Sequence, residues 1–284
     1  MLIVHLRGGL GNQMFQYALY LAAAESGKKA SLDLSHFNKD NQSTQYELGN
    51  TFSIHAAPLP LWEKVLVKAS WKFLHLLHHI PYKETDSSFG IFDKKVTTLQ
   101  FAYLKGYWQS EKYFEGISKT IRKHFSFPPF SDNKNKALLE LIVQRNSVSI
   151  HIRRGDYLKN NLNWSLDIDY YNRAIQLIKE KVTAPVFYIF SDDMQWAEAN
   201  IKVPNCHFIN YNKGDDSFRD MQLMSNCKHN IIANSSFSWW GAWLNNNEDK
   251  IVIAPDKWLS TMEGTRDIIP DSWIQLKESL GVDS

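Results

Sequence analysis

The chain has 284 residues, 44% hydrophobic and 22% charged, the composition of an ordinary globular protein with material for one large domain or two smaller ones. A formal net charge of +2 is too small to imply a nucleic-acid partner. The only cysteines, Cys206 and Cys227, form no metal-ligand cluster and fit a reducing compartment. The first residues lack the basic start and long apolar core of a secretory signal, and no stretch is long and apolar enough to span a bilayer. The expected location is therefore cytoplasmic.

Residues 2–6 read as a buried strand. Arg7-Gly8-Gly9-Leu10-Gly11-Asn12-Gln13 comes next, and residues 13–26 are rich in Ala and Leu, predicting a helix stopped by Gly27. A strand, a glycine loop and a helix N-terminus together favour close backbone approach to a ligand, with anionic groups preferred. The spacing matches neither the dinucleotide fingerprint nor a P-loop. A second strand is expected near residues 29–33, and residues 38–50 read as a loop. Residues 61–80 place Leu61, Trp62, Val65, Leu66, Ala69, Phe73, Leu76, Leu77 and Ile80 on one helical stripe, with Lys64, Lys68 and Lys72 opposite. A helix packed on the core with a solvated lysine face is the expected reading, and a peripheral membrane contact is the alternative. A strand at 99–105 leads into Gly106-Tyr107-Trp108-Gln109-Ser110, and 111–123 reads as helix. Phe125-Ser126-Phe127-Pro128-Pro129-Phe130-Ser131-Asp132 breaks regular structure and marks the boundary between two lobes, 1–130 and 131–284.

The second lobe opens with a helix at 134–145 and a short strand, Ser147-Val148-Ser149-Ile150. Directly after it comes His151-Ile152-Arg153-Arg154-Gly155-Asp156-Tyr157. Two guanidiniums thus emerge where a strand ends, the edge at which open α/β sheets bind ligands. Arg presents five donors in a planar fork and keeps its charge, which suits phosphate oxygens. Residues 158–165 read as loop. Asp167-Ile168-Asp169 precedes a helix running to about 181, with Asp169 expected to cap it. Val186-Phe187-Tyr188-Ile189-Phe190 is a buried strand ending in Ser191-Asp192-Asp193, with a helix continuing through residue 200. Another strand is expected at 207–210, a helix at 215–226 and a strand at 229–233. That strand runs into Asn234-Ser235-Ser236-Phe237-Ser238-Trp239-Trp240-Gly241-Ala242-Trp243. The last expected strand is 250–254, and the tail reads as helical only near its end. Strand and helix alternate throughout, so the class is α/β with parallel sheets. Polar junctions at 151–157, 191–193 and 234–238, with the glycine loop, point to a phosphorylated nucleotide as ligand.

Four blocks resemble, in sequence order, the bacterial α-1,2-fucosyltransferases of glycosyltransferase family 11. They are Gly8-Gly9-Leu10-Gly11-Asn12-Gln13-Met14-Phe15-Gln16-Tyr17-Ala18, Gly106-Tyr107-Trp108-Gln109-Ser110, the stretch from His151 to Tyr157, and the stretch from Asn234 to Trp243. The resemblance implies a GT-B-type fold of two Rossmann-like lobes with a cleft between them. In that fold 1–130 carries the glycine loop on the acceptor side, and 131–284 binds GDP-fucose. It implies transfer of L-fucose from GDP-β-L-fucose to the 2-hydroxyl of a terminal galactose in an oligosaccharide or O-antigen, with inversion and without a cofactor or obligatory metal. The implied partners are the donor and a galactose-terminated glycan, and the enzyme would be cytoplasmic or peripheral to the inner membrane.

By the same resemblance Arg153 meets the diphosphate and Arg154 supports it. His151 and Asp192 contact guanosine, and Asn234, Ser235, Ser236, Phe237 and Ser238 line the nucleotide pocket. Gly11 and Asn12 face the cleft from the first lobe. Related enzymes carry a Glu ten residues after the motif His. That position is Asn161 here, which leaves Asp156 as the candidate base. Two other classes are open to the sequence. One is a non-catalytic glycan-binding module using Trp108, Trp239, Trp240 and Trp243, with which the paired arginines sit poorly. The other is a metal-dependent nucleotide-sugar transferase using Asp167 and Asp169.

Overall fold

The structure is a computed structural model that describes residues 1–37, 45–57, 59–60, 62–63, 65, 69, 81–155, 157–159, 165–261 and 264–277. It divides into two compact units, Met1–Pro128 and Pro129–Ser284, and the division falls inside the Phe-Pro-Pro-Phe run. Most of 61–80, including Lys64, Lys68 and Lys72, lies outside the described residues. Among the described residues, no helix is long and apolar enough to cross a membrane.

The first unit is built on a parallel sheet of four strands. Its elements are β1 (Leu2–His5), α1 (Leu10–Glu25), β2 (Ala30–Asp33), α2 (Leu48–Phe52), β3 (Pro81–Lys83), α3 (Lys94–Thr98), β4 (Ala102–Lys105) and α4 (Ser118–His124). The strand order is β2-β1-β4-β3. β1 is buried along its whole length, as a parallel strand covered on both faces requires. β3 carries no periodic signal in the sequence: it is three residues long and starts on Pro81, which an edge strand tolerates. α1 begins at Leu10 rather than Gln13, because the Gly9 carbonyl already accepts the Asn12 and Gln13 N–H groups at 3.0 and 3.1 Å. Gly11 and Asn12 are thus first-turn residues, not loop. The helix expected over 111–123 is split. Two single 3₁₀ turns, Glu111–Tyr113 and Glu115–Ile117, precede α4, with Gly116 in the second of them.

The second unit contains α5 (Asn133–Gln144), β5 (Ser147–Ile152), α6 (Ile168–Lys181), β6 (Val186–Ser191), α7 (Met194–Asn200), β7 (Cys206–Ile209), α8 (Phe218–Asn226), β8 (His229–Ile231), α9 (Ser236–Leu244), β9 (Val252–Pro255) and β10 (Ile274–Leu276). All six strands are parallel, in the order β10-β9-β8-β5-β6-β7. Numbered from β5, this is the doubly wound Rossmann order, and it reverses between β5 and β8. One Rossmann-like parallel sheet per unit is the expected fold class. β10 is an addition to the expected strands: Ile274 pairs with Ile253 of β9, and 278–284, at the end of the tail, lie outside the described residues.

Alternation along β5 sends Val148, Ile150 and Ile152 into a core with Tyr170, Tyr171, Ala174 and Ile178 of α6. On the other register Ser149 accepts from the Asn230 amide at 2.7 Å, and Asn230 accepts from Asn245 at 2.8 Å. These buried polar groups are paired, as burial demands. α9 is apolar on every side, which suits a helix enclosed by protein. Its Trp239 is 0% exposed, packs edge-on to Trp240 at 4.9 Å, and donates from Nε1 to the Ile268 carbonyl at 2.8 Å. Trp239→Ala is expected to cost about 3–5 kcal/mol. The loss should be read as a lower urea midpoint of the second unit at unchanged slope.

Candidate functional site

The pairing of β5 with β6 continues to the last residue of each, Ile152 opposite Ser191. The turns beyond these two strands therefore lie side by side. Asp192 is the hub. Its Oδ1 accepts the Arg154 N–H at 2.8 Å, its Oδ2 accepts the Gly155 N–H at 3.1 Å, and Oδ2 lies 3.2 Å from Nε of Arg153. A Cβ on Gly155 would stand 3.1 Å from that same oxygen, so a larger residue would require the carboxylate to give by a few tenths of an ångström.

The two arginines leave the turn differently. Arg154 is packed: its guanidinium lies 4.1 Å from the Trp196 ring centroid, Nη1 donates to Ser165 Oγ at 3.1 Å, and Nε is 3.5 Å from Asp193. Its side chain is 16% exposed against 34% for Arg153, whose guanidinium sits 5.6 Å from the Tyr157 ring. Arg153 is the one that reaches solvent. The Tyr157 hydroxyl donates to the Asn234 carbonyl at 3.0 Å, fastening the β5 turn to the β8 junction across the strand reversal.

At that junction α9 starts on Ser236. Ser235 occupies the N-cap position without a side-chain capping bond, so the first-turn N–H groups keep their affinity for an anion. Ser236 and Phe237 are half-buried. Ser238 is buried, its hydroxyl 3.3 Å from the Ser235 carbonyl and 3.4 Å from that of Ala233. Asn234 points its amide away, to the Trp258 carbonyl at 2.9 Å. His151 is buried with its ring 5.7 Å from that of Phe237, and its Nδ1 meets no hydrogen-bond partner among the described residues. Burial, with the Arg153 charge adding to it, lowers its pKa to about 3. The imidazole is therefore neutral near pH 7 and can accept or donate one hydrogen bond without adding charge.

In the first unit the glycine loop and the Gly106 block lie side by side, because they follow the paired strands β1 and β4. Gln16 bridges them, accepting from the Arg7 N–H at 2.9 Å and donating to the Gly106 carbonyl at 3.0 Å. Gln109 donates to Asn12 Oδ1 at 2.7 Å. Gln13 ties the loop to the start of α2, donating to the carbonyls of Gly8 and Gln45 and accepting from the Glu47 N–H at 2.9 Å. Gly8 holds φ +80°, and a Cβ there would press on Asn12. Gly11 is buried in the first turn of α1.

Several expectations change. Asp192 accepts two N–H groups of the arginine turn, a use the sequence does not show, and its side chain is 26% exposed. The cap of α6 is Asp167, which accepts from the Tyr170 N–H at 3.0 Å, whereas Asp169 pairs with Arg173 at 2.8 Å. Among the described residues, no group of three or more His, Cys, Asp or Glu is placed to hold a metal. Trp108, Trp239, Trp240 and Trp243 are 2%, 0%, 0% and 5% exposed, which removes them as a glycan-binding face. Asp156 and Asn161 lie outside the described residues. Sequence reasoning does not single out Ser165, Asp193 and Trp196 as partners of Arg154. The only signal is Asp193 as a helix cap, which it also is, accepting from the Trp196 N–H at 3.1 Å.

His151 generates a pH prediction. The unfolded chain binds a proton there below about 6.5, while the folded chain stays neutral down to about 3. Its contribution to stability is therefore complete above the unfolded value and is lost as pH falls through that window. His151→Gln should flatten this part of the acid dependence, so the gap between wild-type and variant urea midpoints should narrow from pH 7 to pH 4. Parallel curves would contradict it.

A model of glycosyl transferase family 11 matches residues 1–277. An α-1,2-colitosyltransferase of Escherichia coli is 36% identical over 267 residues, covering 89% of this chain and 90% of the relative. The O-antigen biosynthesis glycosyltransferase WbnK of Escherichia coli is 34% identical over 288 residues, covering 89% and 93%. The galactoside α-(1,2)-fucosyltransferase 1 of Oryctolagus cuniculus is 25% identical over 264 residues, covering 85% of this chain and 63% of the relative. With the match running through both units and all four motif blocks, the chain belongs to glycosyltransferase family 11.

Proposed function

We propose that this family 11 glycosyltransferase moves L-fucose from GDP-β-L-fucose to the 2-hydroxyl of a terminal galactose, with inversion at the sugar carbon. The observation that carries the donor half is Arg153, held at the strand reversal of the second sheet beside the uncapped start of α9. Cleaving a sugar–phosphate bond builds negative charge on the departing diphosphate. A guanidinium and free helix N–H groups, fixed before the reaction, stabilise that charge without reorganising. His151, neutral and with no partner at Nδ1 among the described residues, is proposed to meet the nucleoside, and Ser235, Ser236 and Phe237 to line the pocket.

In a single displacement the acceptor hydroxyl loses its proton to a base as the diphosphate leaves from the opposite face. Asp156 is the proposed base by its place in the motif. Leaving-group stabilisation is assigned to Arg153, so no metal is required in this reading. Gly11 and Asn12, tied to Gln109, are proposed to belong to the acceptor side. The galactose 2-hydroxyl is favoured because the rabbit relative is named for transfer to galactosides in a (1,2) linkage.

A second donor is favoured by one specific observation, the 36%-identical relative named for colitose. Colitose lacks the 3-hydroxyl of fucose, so the two donors would share the nucleotide contacts and differ at one sugar position. Assays with both donors, each with lactose and N-acetyllactosamine and with a chelator present, test the proposal. GDP-fucose should give α-1,2 product in chelator. Turnover with the colitose donor and none with fucose would replace the donor, and transfer that requires a divalent ion would refute the metal-independent step. Arg153→Ala should lower turnover by at least about 10²-fold with an unchanged melting temperature. Near-normal turnover would remove Arg153 from the centre of the mechanism.

A further inference from the structure

We infer that Asp192 is a positioning residue for the arginine clamp and not a nucleoside ligand. The inference rests on the diphosphate reading of Arg153. In doubly wound sheets the acid at the end of the second strand commonly takes a ribose hydroxyl. β6 is that strand here, neighbouring β5 away from the reversal, and Asp192 stands just past its end. Its carboxylate is used otherwise. One oxygen holds the Arg154 N–H at 2.8 Å. The other holds the Gly155 N–H at 3.1 Å and lies 3.2 Å from Arg153 Nε. Two consecutive backbone amides wrap the turn around the carboxylate, and the side chain of Arg153, the residue just before them, is paired with the same group.

Three features fit a brace. First, the 3.2 Å contact to Arg153 is at Nε, the base of the guanidinium, whereas the terminal nitrogens are the ones that extend a fork toward phosphate. Second, a bare carboxylate beside a diphosphate would repel it, whereas one that accepts two backbone N–H groups and pairs with a guanidinium has its charge offset locally. Third, the neighbouring residue acts in parallel. Asp193 is paired with Arg154, which Trp196 and Ser165 hold from other sides. Asp192 thus pairs with the Arg153 side chain and Asp193 with that of Arg154, across adjacent strand ends. Fixing a long, many-rotamer side chain before the ligand arrives lowers the ordering cost of binding.

Calorimetric titration with guanosine and with GDP, at one ionic strength, separates a brace from a nucleoside contact. Wild type should bind GDP more tightly than guanosine. Asp192→Asn should keep guanosine affinity within about twofold and lose at least about tenfold of the GDP advantage, with Asp192→Glu intermediate. Amide exchange at Arg154 and Gly155 in ligand-free Asp192→Asn should quicken by at least about tenfold. A guanosine loss as large as the GDP loss would make Asp192 a nucleoside ligand and overturn the inference. An unchanged GDP advantage would overturn it equally. If Asp192→Asn fails to fold, the same ratios in Asp192→Glu decide. A wild type that binds guanosine and GDP alike would refute the diphosphate reading itself, and the inference with it.

Discussion

β5 is held on both sides by parallel ladders, to β6 through Ile152 opposite Ser191 and to β8 through Ile150 opposite Ile231. The candidate site depends on that clamp. Because the sheet order reverses between β5 and β8, the chains leaving these two strands diverge, and the space outside their carboxyl ends is open to a ligand. Burial of all six residues of β5 fixes its register, since a slip of one residue would turn Ser149 and His151 into the α6 core and Ile150 out of it. The arginine turn beyond β5 is therefore placed by the core, not by the flexibility of a loop.

Placement alone would leave two long cations free to wander, and the structure removes that freedom in two different ways. Arg154 is enclosed by Trp196, Ser165 and Asp193. Arg153 is pinned at Nε but is the more exposed of the two. One arginine thus stiffens the turn and the other is presented by it. Tyr157 carries the same stiffness to the β8 junction through its bond to the Asn234 carbonyl. The α9 start contributes a fixed partial positive charge there. The first unit shows the same pattern. Gln13, Gln16 and Gln109 direct their amides to loop carbonyls and to Asn12, so the glycine loop is braced by side chains rather than left as bare backbone.

Strands such as 186–190 are legible in the sequence because they are unbroken apolar runs, and the arginine and serine junctions because polar residues directly succeed such runs. Both sheets can be expected from this alternation, and the family from the four blocks. Asp192 illustrates the limit. Its type and position are plain, but whether a strand-end carboxylate faces a ligand or a neighbouring turn depends on the Ile152–Ser191 register, a pairing between segments far apart in sequence. Asp167 and Asp169 are both possible caps, and only the start of α6 at Ile168 separates them. β10 is too short to show a period. The buried tryptophans do carry a readable signal: Trp239-Trp240-Gly241-Ala242-Trp243-Leu244 has no polar face, which marks an enclosed helix rather than a sugar platform.

The central claim is that a nucleoside diphosphate seats at the carboxyl ends of β5 and β8. Hydrogen–deuterium exchange of the wild-type protein with and without saturating GDP tests it most directly. Protection is predicted in residues 151–155 and 235–239, with little change along β7, β9 and α5. Protection confined to other segments, or GDP binding that leaves both junctions unprotected, would contradict it.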